Sequence, residues 1–252
     1  ERGGKKWLLQ VLLVNPEVAI CSLTQCTTTT STTTSSSSST WPNWMYPAGL
    51  ANVDLQGSDI PSSAYRKLME ALECMQCRPP SSSSSSHGEG YVVDLGASPG
   101  GWTAILRRMG CRVIAVDRSE LASNLMGDDE VSFIKGDAFT FDPTTTALSN
   151  AQPSQDKDEE DVLWMVSDVI AYPKRVTELL TRWCGNNWAS HMIVTVKFQG
   201  DKVAWEELEE AMEVGRRFGY RCRAKHFFNN KNEVTLMLVR SKGGGECLED
   251  DG

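Results

Sequence analysis

The chain has 252 residues, 40% of them hydrophobic, and carries 33 acidic against 25 basic side chains, a formal net charge of −8. That length suits one α/β domain with an appendage. No apolar run reaches the roughly 18 residues of a membrane span, and the net charge argues against a surface that binds polyanions all over.

Hydrophobic alternation predicts strands at 7–14 and 17–23. A Ser/Thr tract, expected to be disordered over 24–40, follows them; its core "TTTTSTTTSSSSST" has nothing apolar to bury. With Glu1 in place of Met, we expect a fragment whose targeting signal is missing and whose residues 1–57 are the remnant of an upstream domain. Residues 58–242 read as one domain. It opens with a predicted helix at 62–77, in which Cys74 and Cys77 form a C-x-x-C with no second pair. They are expected to be ordinary buried thiols, and no metal ligands are predicted. All eight cysteines lack framework spacing, which points to reduced thiols in an intracellular compartment, the cytoplasm first, with organelle or nucleus left open.

After "SSSSSS" at 81–86, strand 91–95, helix 101–109, strand 112–116, helix 119–126 and strand 131–134 alternate. The stretch 143–161 reads as an insertion. Strand 162–167, helix 173–184, strand 190–197 and helix 202–218 follow, then strands 220–227 and 233–239 on either side of "NNKN". This order predicts an α/β fold with a mainly parallel sheet, helices on both faces and a closing hairpin that adds one antiparallel strand. Residues 243–252 form an acidic tail, expected to be disordered. Acid is unevenly placed: from Arg216 to Lys231 there is none, against Arg216, Arg217, Arg221, Arg223, Lys225 and Lys231. A solvated helix end and strand would look the same; a phosphate-facing patch is the sharper reading.

In "YVVDLGASPGGWTAIL", residues 91–106, an apolar strand runs into a glycine turn that opens a helix, which places a ligand at the strand's carboxyl end. Gly96-x-x-x-Gly100-Gly101 is neither G-x-G-x-x-G nor a phosphate-binding P-loop. Asp117, at the end of the next strand, suits a ribose diol. Asp137, after the third, could accept from an adenine amino group. One loop and two acids on three successive strands would hold an adenosine, and a tight turn with two loop aspartates is the plainer alternative.

"DLGASPGGWT" resembles motif I of the FtsJ-type S-adenosylmethionine-dependent RNA 2′-O-ribose methyltransferases. The likeness continues through "SSAYRKLMEAL", "WMVSDVIAYP", "VTVKFQ" and "KNEVTLMLVR", covering about residues 60 to 240 in the family's order, and is nearest to the branch of large-subunit ribosomal RNA methyltransferase M. It implies a Rossmann-like class I methyltransferase with a seven-stranded sheet, S-adenosylmethionine as cofactor, RNA as partner, most plausibly ribosomal, and no membrane or metal. A monomer is expected, and residues 7–23 with "WPNWMYPAGL" match a strand pair from an N-terminal RNA-binding domain. The donor is expected to contact Gly96, Ser98, Pro99, Gly100, Gly101, Trp102, Asp117, Asp137 and Asp168, although Trp102 fits core packing equally well.

The family's Lys-Asp-Lys-Glu tetrad maps onto Lys67, Asp168, Lys197 and Glu233. A hydroxyl attacks a sulfonium methyl only when positioned and stripped of its proton. Burial at the end of "MIVTVK" and a second lysine, Lys67, would disfavour an ammonium at Lys197, making it the base. Asp168 would orient it, and Glu233 and Lys67 would place the ribose. The loop from Asp168 to Pro173 lacks the "(D/N)PP(Y/F)" of amino-group methyltransferases, and Cys184 at a helix end suits structure better than pyrimidine attack. The family's Arg is Ser63 here, and Ala64 stands where the nearest branch has serine. The alternative is a catalytically inactive methyltransferase-fold module that binds RNA or protein.

Overall fold

The computed structural model describes residues 59–81, 91–145, 163–198 and 205–240, and the backbone of 6–15 and 18–26. Residues 27–40, the acidic tail and most of the insertions at 81–86 and 143–161 lie outside them. The chain divides into two compact units, Glu1–Asn52 and Val53–Gly252.

In the first unit, β1 (Lys6–Asn15) and β2 (Val18–Cys26) form an antiparallel two-stranded sheet, with a register shift between Leu13 and Asn15. The expectation that disorder begins at residue 24 is corrected: Thr24, Gln25 and Cys26 pair with Leu8, Trp7 and Lys6. Backbone pairing to β1 carries the strand beyond its apolar stretch.

The second unit runs α1 (Tyr65–Met75), β3 (Tyr91–Leu95), α2 (Gly101–Arg108), β4 (Arg112–Asp117), α3 (Ser123–Met126), β5 (Val131–Lys135), β6 (Trp164–Ser167), α4 (Pro173–Gly185), β7 (His191–Lys197), α5 (Trp205–Arg217), β8 (Tyr220–Lys225) and β9 (Glu233–Arg240). Its seven strands lie in the order β5-β4-β3-β6-β7-β9-β8, with β9 antiparallel to both neighbours and the other pairs parallel. The chain builds outward from β3 to β5 and then returns to β6 on β3's other side. Ligands bind at the carboxyl ends of strands where the order reverses in this way.

Strand alternation sends side chains to two separate cores. Met165, Met192, Val194 and Val196 join α4 and α5 on one face. Trp164, Val166, Ile193 and Met237 join α1 and α2 on the other. The same two-residue period puts Asp168 beyond Val166, Lys197 beyond Ile193 and Thr195, and Glu233 before Thr235 and Met237, all on the α1 face.

Two helices are shorter than the sequence suggests. The predicted helix 119–126 is regular only over Ser123–Met126, because residues 118–122 bind the glycine loop instead: Ala122 N–H donates to Pro99 O at 2.9 Å and Ser98 Oγ to Glu120 O at 2.9 Å. Helix α1 starts at Tyr65 rather than 62, because Ala64 O accepts the Trp102 indole at 2.8 Å and Ser62 packs on Gly101. Pro143–Thr145, placed with the insertion, form a 3-10 turn anchored by Asp142, which accepts from Thr144 N at 2.9 Å.

Candidate active site

The turn after β3 adopts a backbone that only glycine takes up easily. Gly96 has φ +78° and Gly100 φ +110°. A Cβ at Gly96 would approach Val169 Cα to 2.9 Å, and one at Gly100 would collide with Leu125 Cδ1. The loop therefore lies flat against the segment after β6. Ser98 N–H donates to Asp117 Oδ2 at 3.0 Å, which ties it to the end of β4, and Ser119 N–H takes the other Asp117 oxygen at 2.8 Å.

Between this loop and the carboxyl ends of β3, β4, β6 and β7 lies a cavity of about 380 Å³, within the size range of small-molecule sites. Gly96, Ser98, Pro99, Gly101, Trp102, Asp117, Asp168 and Lys197 line it. Gly100 does not, and shapes the turn from behind. Asp137 is not part of the lining either. Phe139 N–H binds it at 2.9 Å, it pairs with Arg118, and these bonds hold its carboxyl below the usual carboxylate range. Trp102 is only 3% exposed, so its ring serves packing as well as the wall.

The four polar residues expected at the site meet. Lys67 Nζ donates to both oxygens of Asp168 at 2.7 Å and pairs with Glu233 Oε1 at 3.0 Å. Lys197 Nζ donates to the Asp168 carbonyl at 2.7 Å and lies 3.1 Å from Asp168 Oδ1. Lys197 and Glu233 face each other directly in the β7–β9 register. Asp168 stands between the two lysines, and a second carboxylate, Glu233, pairs with Lys67. Lys67 spends its donors on carboxylates. Lys197 has two contacts and also borders the cavity, so a further donor or lone-pair position is available to whatever enters.

Sequence reasoning missed two buried acids. Asp94 lines the cavity at 1% exposure, with Thr103 Oγ1 donating to it at 2.7 Å. Burial, with Asp168 and Asp117 adding smaller repulsion, pushes its carboxyl up to about 7. An acid inside the apolar run "YVVDL" is the signal that could have found it. Glu70, fully buried on α1, accepts from Asn229 N–H at 3.2 Å and Asn229 Nδ2 at 2.9 Å. Burial raises this carboxyl also.

Of the expected basic patch, Arg216 pairs with Glu209 and Glu213 on its own helix, so its charge is largely neutralised there. Arg221, Arg223 and Lys225 alternate along the edge strand β8, opposite Val239, Met237 and Thr235, and so share the sheet face of the tetrad. Cys184 is 1% exposed and burial pushes its thiol up to about 12, which suits packing and not nucleophilic attack. Cys74 and Cys77 are half-buried and in no disulfide, and among the described residues no group of acids, histidines and cysteines could hold a metal ion. No described helix is long and apolar enough to cross a membrane.

A family model described as FtsJ-like methyltransferase matches residues 60–185. Ribosomal RNA large subunit methyltransferase M of Halorhodospira halophila is 31% identical over 199 residues, which is 79% of this chain and 52% of that protein. Its namesake in Aggregatibacter aphrophilus is 30% identical over 187 residues, 72% of this chain and 48% of that protein. The chain thus spans about half the length of the curated relatives it matches. Among solved structures, a ribosomal RNA methyltransferase from Plasmodium falciparum aligns at a TM-score of 0.47 and 15% identity, covering 71% of this chain and 97% of that one.

Proposed function

The chain belongs to the FtsJ-like methyltransferase family, and from that premise we propose that it transfers a methyl group from S-adenosylmethionine to a ribose 2′-hydroxyl of RNA, ribosomal RNA by the names of its relatives. One observation carries this reading: a single carboxylate, Asp168, holds two lysines, and one of them, Lys197, faces the cavity.

The cavity suits the donor. Its glycine loop leaves no room for side chains where a ligand must lie close to the backbone, and Asp117 has lone pairs left for a ribose diol after taking two backbone N–H groups. When bound, S-adenosylmethionine supplies an electrophilic methyl on a sulfonium. Lys197, as the free amine, accepts the proton of the 2′-hydroxyl while that oxygen takes the methyl group and the donor leaves as a neutral thioether. Lys67 and Glu233 keep Asp168 fixed, and Glu233 adds an accepting position for the sugar. Most of the acceleration comes from alignment, since a well-placed pair of reactants gains about 7–11 kcal/mol over free encounter.

RNA is gripped, in this reading, by Arg221, Arg223 and Lys225 on β8 with Lys231 in the turn, while residues 7–23 belong to an RNA-binding segment. Calorimetric titration with S-adenosylmethionine, RNA binding at two salt concentrations and transfer of labelled methyl groups to total RNA test the scheme together. Lys197→Ala should bind the donor normally and lose at least about a hundred-fold in transfer rate. Arg221→Glu with Arg223→Glu should weaken RNA binding and flatten its salt dependence while sparing the donor. Donor binding without any transfer by the natural chain would favour an inactive RNA-binding module instead.

A further inference from the structure

We propose that the rim of the cavity is a stacking platform for unpaired RNA, on which Tyr172 and Phe228 take up the bases that flank an extruded target nucleotide; this rests on the ribose-methylating reading above. The tetrad is deep. The side chains of Lys67, Asp168, Lys197 and Glu233 are 9%, 16%, 19% and 9% exposed. A sugar held in a continuous duplex cannot bring its hydroxyl within hydrogen-bond reach of an amine so far below the surface, because the neighbouring base pairs and phosphates meet the rim first. The nucleotide has to leave its stack, and the bases on either side each lose a partner.

The rim offers replacements. Among the described residues, Ile170, Tyr172 and Phe228 are 82%, 62% and 61% exposed, and two of the three are aromatic rings on which a base can stack. Ile170 lines the cavity and Tyr172 follows it, both just past the carboxyl end of β6. Phe228 lies past the carboxyl end of β8, in a turn that Glu70 braces through Asn229. The two rings therefore stand on opposite sides of Lys197 in the strand order. Each has an exposed cation close in sequence, Lys174 beside Tyr172 and Lys231 beside Phe228, placed for the phosphates of the same strand. Trp205 is 65% exposed as well, but Glu206 and Glu207 follow it and repel that backbone, so the path does not cross it.

The test uses the full chain with a short single-stranded RNA carrying the fluorescent adenine analogue 2-aminopurine, and the same strand annealed to its complement. Quenching reports stacking and needs no methyl transfer. The single strand should be quenched on binding and held roughly ten-fold more tightly than the duplex. Tyr172→Ala and Phe228→Ala should each weaken single-strand binding about ten-fold and remove much of the quenching, Tyr172→Trp should retain both, and Trp205→Ala should change neither. Unaltered calorimetric binding of S-adenosylmethionine identifies the variants as folded. Equal affinity for single strand and duplex, or quenching that survives both alanine substitutions, overturns the platform even where RNA is methylated, and would assign the rim to a protein partner. Stacking lost in both variants with no methyl transfer by the natural chain supports the platform and overturns only the catalytic reading.

Discussion

Asp94 accepts the Thr103 hydroxyl at 2.7 Å, and among the described residues no cation pairs with it. Its carboxyl, at 3.8 when unperturbed, rises to about 7 in the fold, chiefly through burial. The unfolded chain therefore ionises Asp94 above about pH 4 while the folded chain keeps it protonated until about pH 7, and stability falls as pH rises across that window. His191 acts in the opposite sense. Stacked on Trp164 at 4.4 Å between ring centroids and pushed down to about 4 by burial, it stays neutral in the fold, so its contribution is lost as pH falls from 6.5 toward 4. The two slopes oppose each other below about pH 6.5 and leave Asp94 alone above it. Asp94→Asn keeps an acceptor for Thr103 and removes one slope. The stability of the variant, read from its melting temperature, should gain on that of the natural chain between about pH 5 and about pH 8, by roughly 2–3 kcal/mol. Parallel curves would contradict the assignment. The tetrad was legible because each of its members stands in a motif. Glu70 was not: it looks like one more polar position of an amphipathic helix, and its partner Asn229 lies 159 residues away.

Helix α1 connects two parts of the site. Lys67 reaches Asp168 and Glu233, and Glu70, one turn later, holds the turn between β8 and β9. Within that turn Asn230 Oδ1 accepts Phe227 N–H at 2.7 Å, and Asn230 Nδ2 donates to Thr235 Oγ1 at 3.2 Å. The start of β9, and with it Glu233, is thus set by one helix. Glu70→Ala would strip the acceptor from a half-buried N–H at a cost of about 1 kcal/mol. It should lower kcat more than it changes the KM for S-adenosylmethionine, with Glu70→Gln recovering part of the rate. A variant with both the stability and the kcat of the natural chain would show the brace to be idle. Periodicity located every strand and α-helix among the described residues of the second unit. It missed ends where tertiary bonds outcompete the helix, as at 118–122, where backbone and side chains bind the glycine loop, and it missed β2's last three residues, which only pairing with β1 reveals.

Charge is segregated across the whole molecule. A chain of net charge −8 carries Arg221, Arg223 and Lys225 along one edge strand, on the sheet face that also bears the tetrad. The switch between β3 and β6 opens the cavity, and the insertion of β9 between β7 and β8 brings Glu233 beside Lys197. Alternating elements predict a mainly parallel sheet from sequence alone. That order does not say which strands are neighbours, since β8 and β9 read simply as a hairpin, and the place of β9 beside β7 follows from long-range pairing. Under the proposed function, these parts converge on a sugar oxygen and not on a base. The most direct measurement is nucleoside analysis of RNA methylated by the natural chain with labelled S-adenosylmethionine. We predict that the label resides in 2′-O-methylated nucleosides and is absent from RNA treated with Lys197→Ala; label on base-methylated nucleosides, or ribose label that persists without the Lys197 amine, would contradict it.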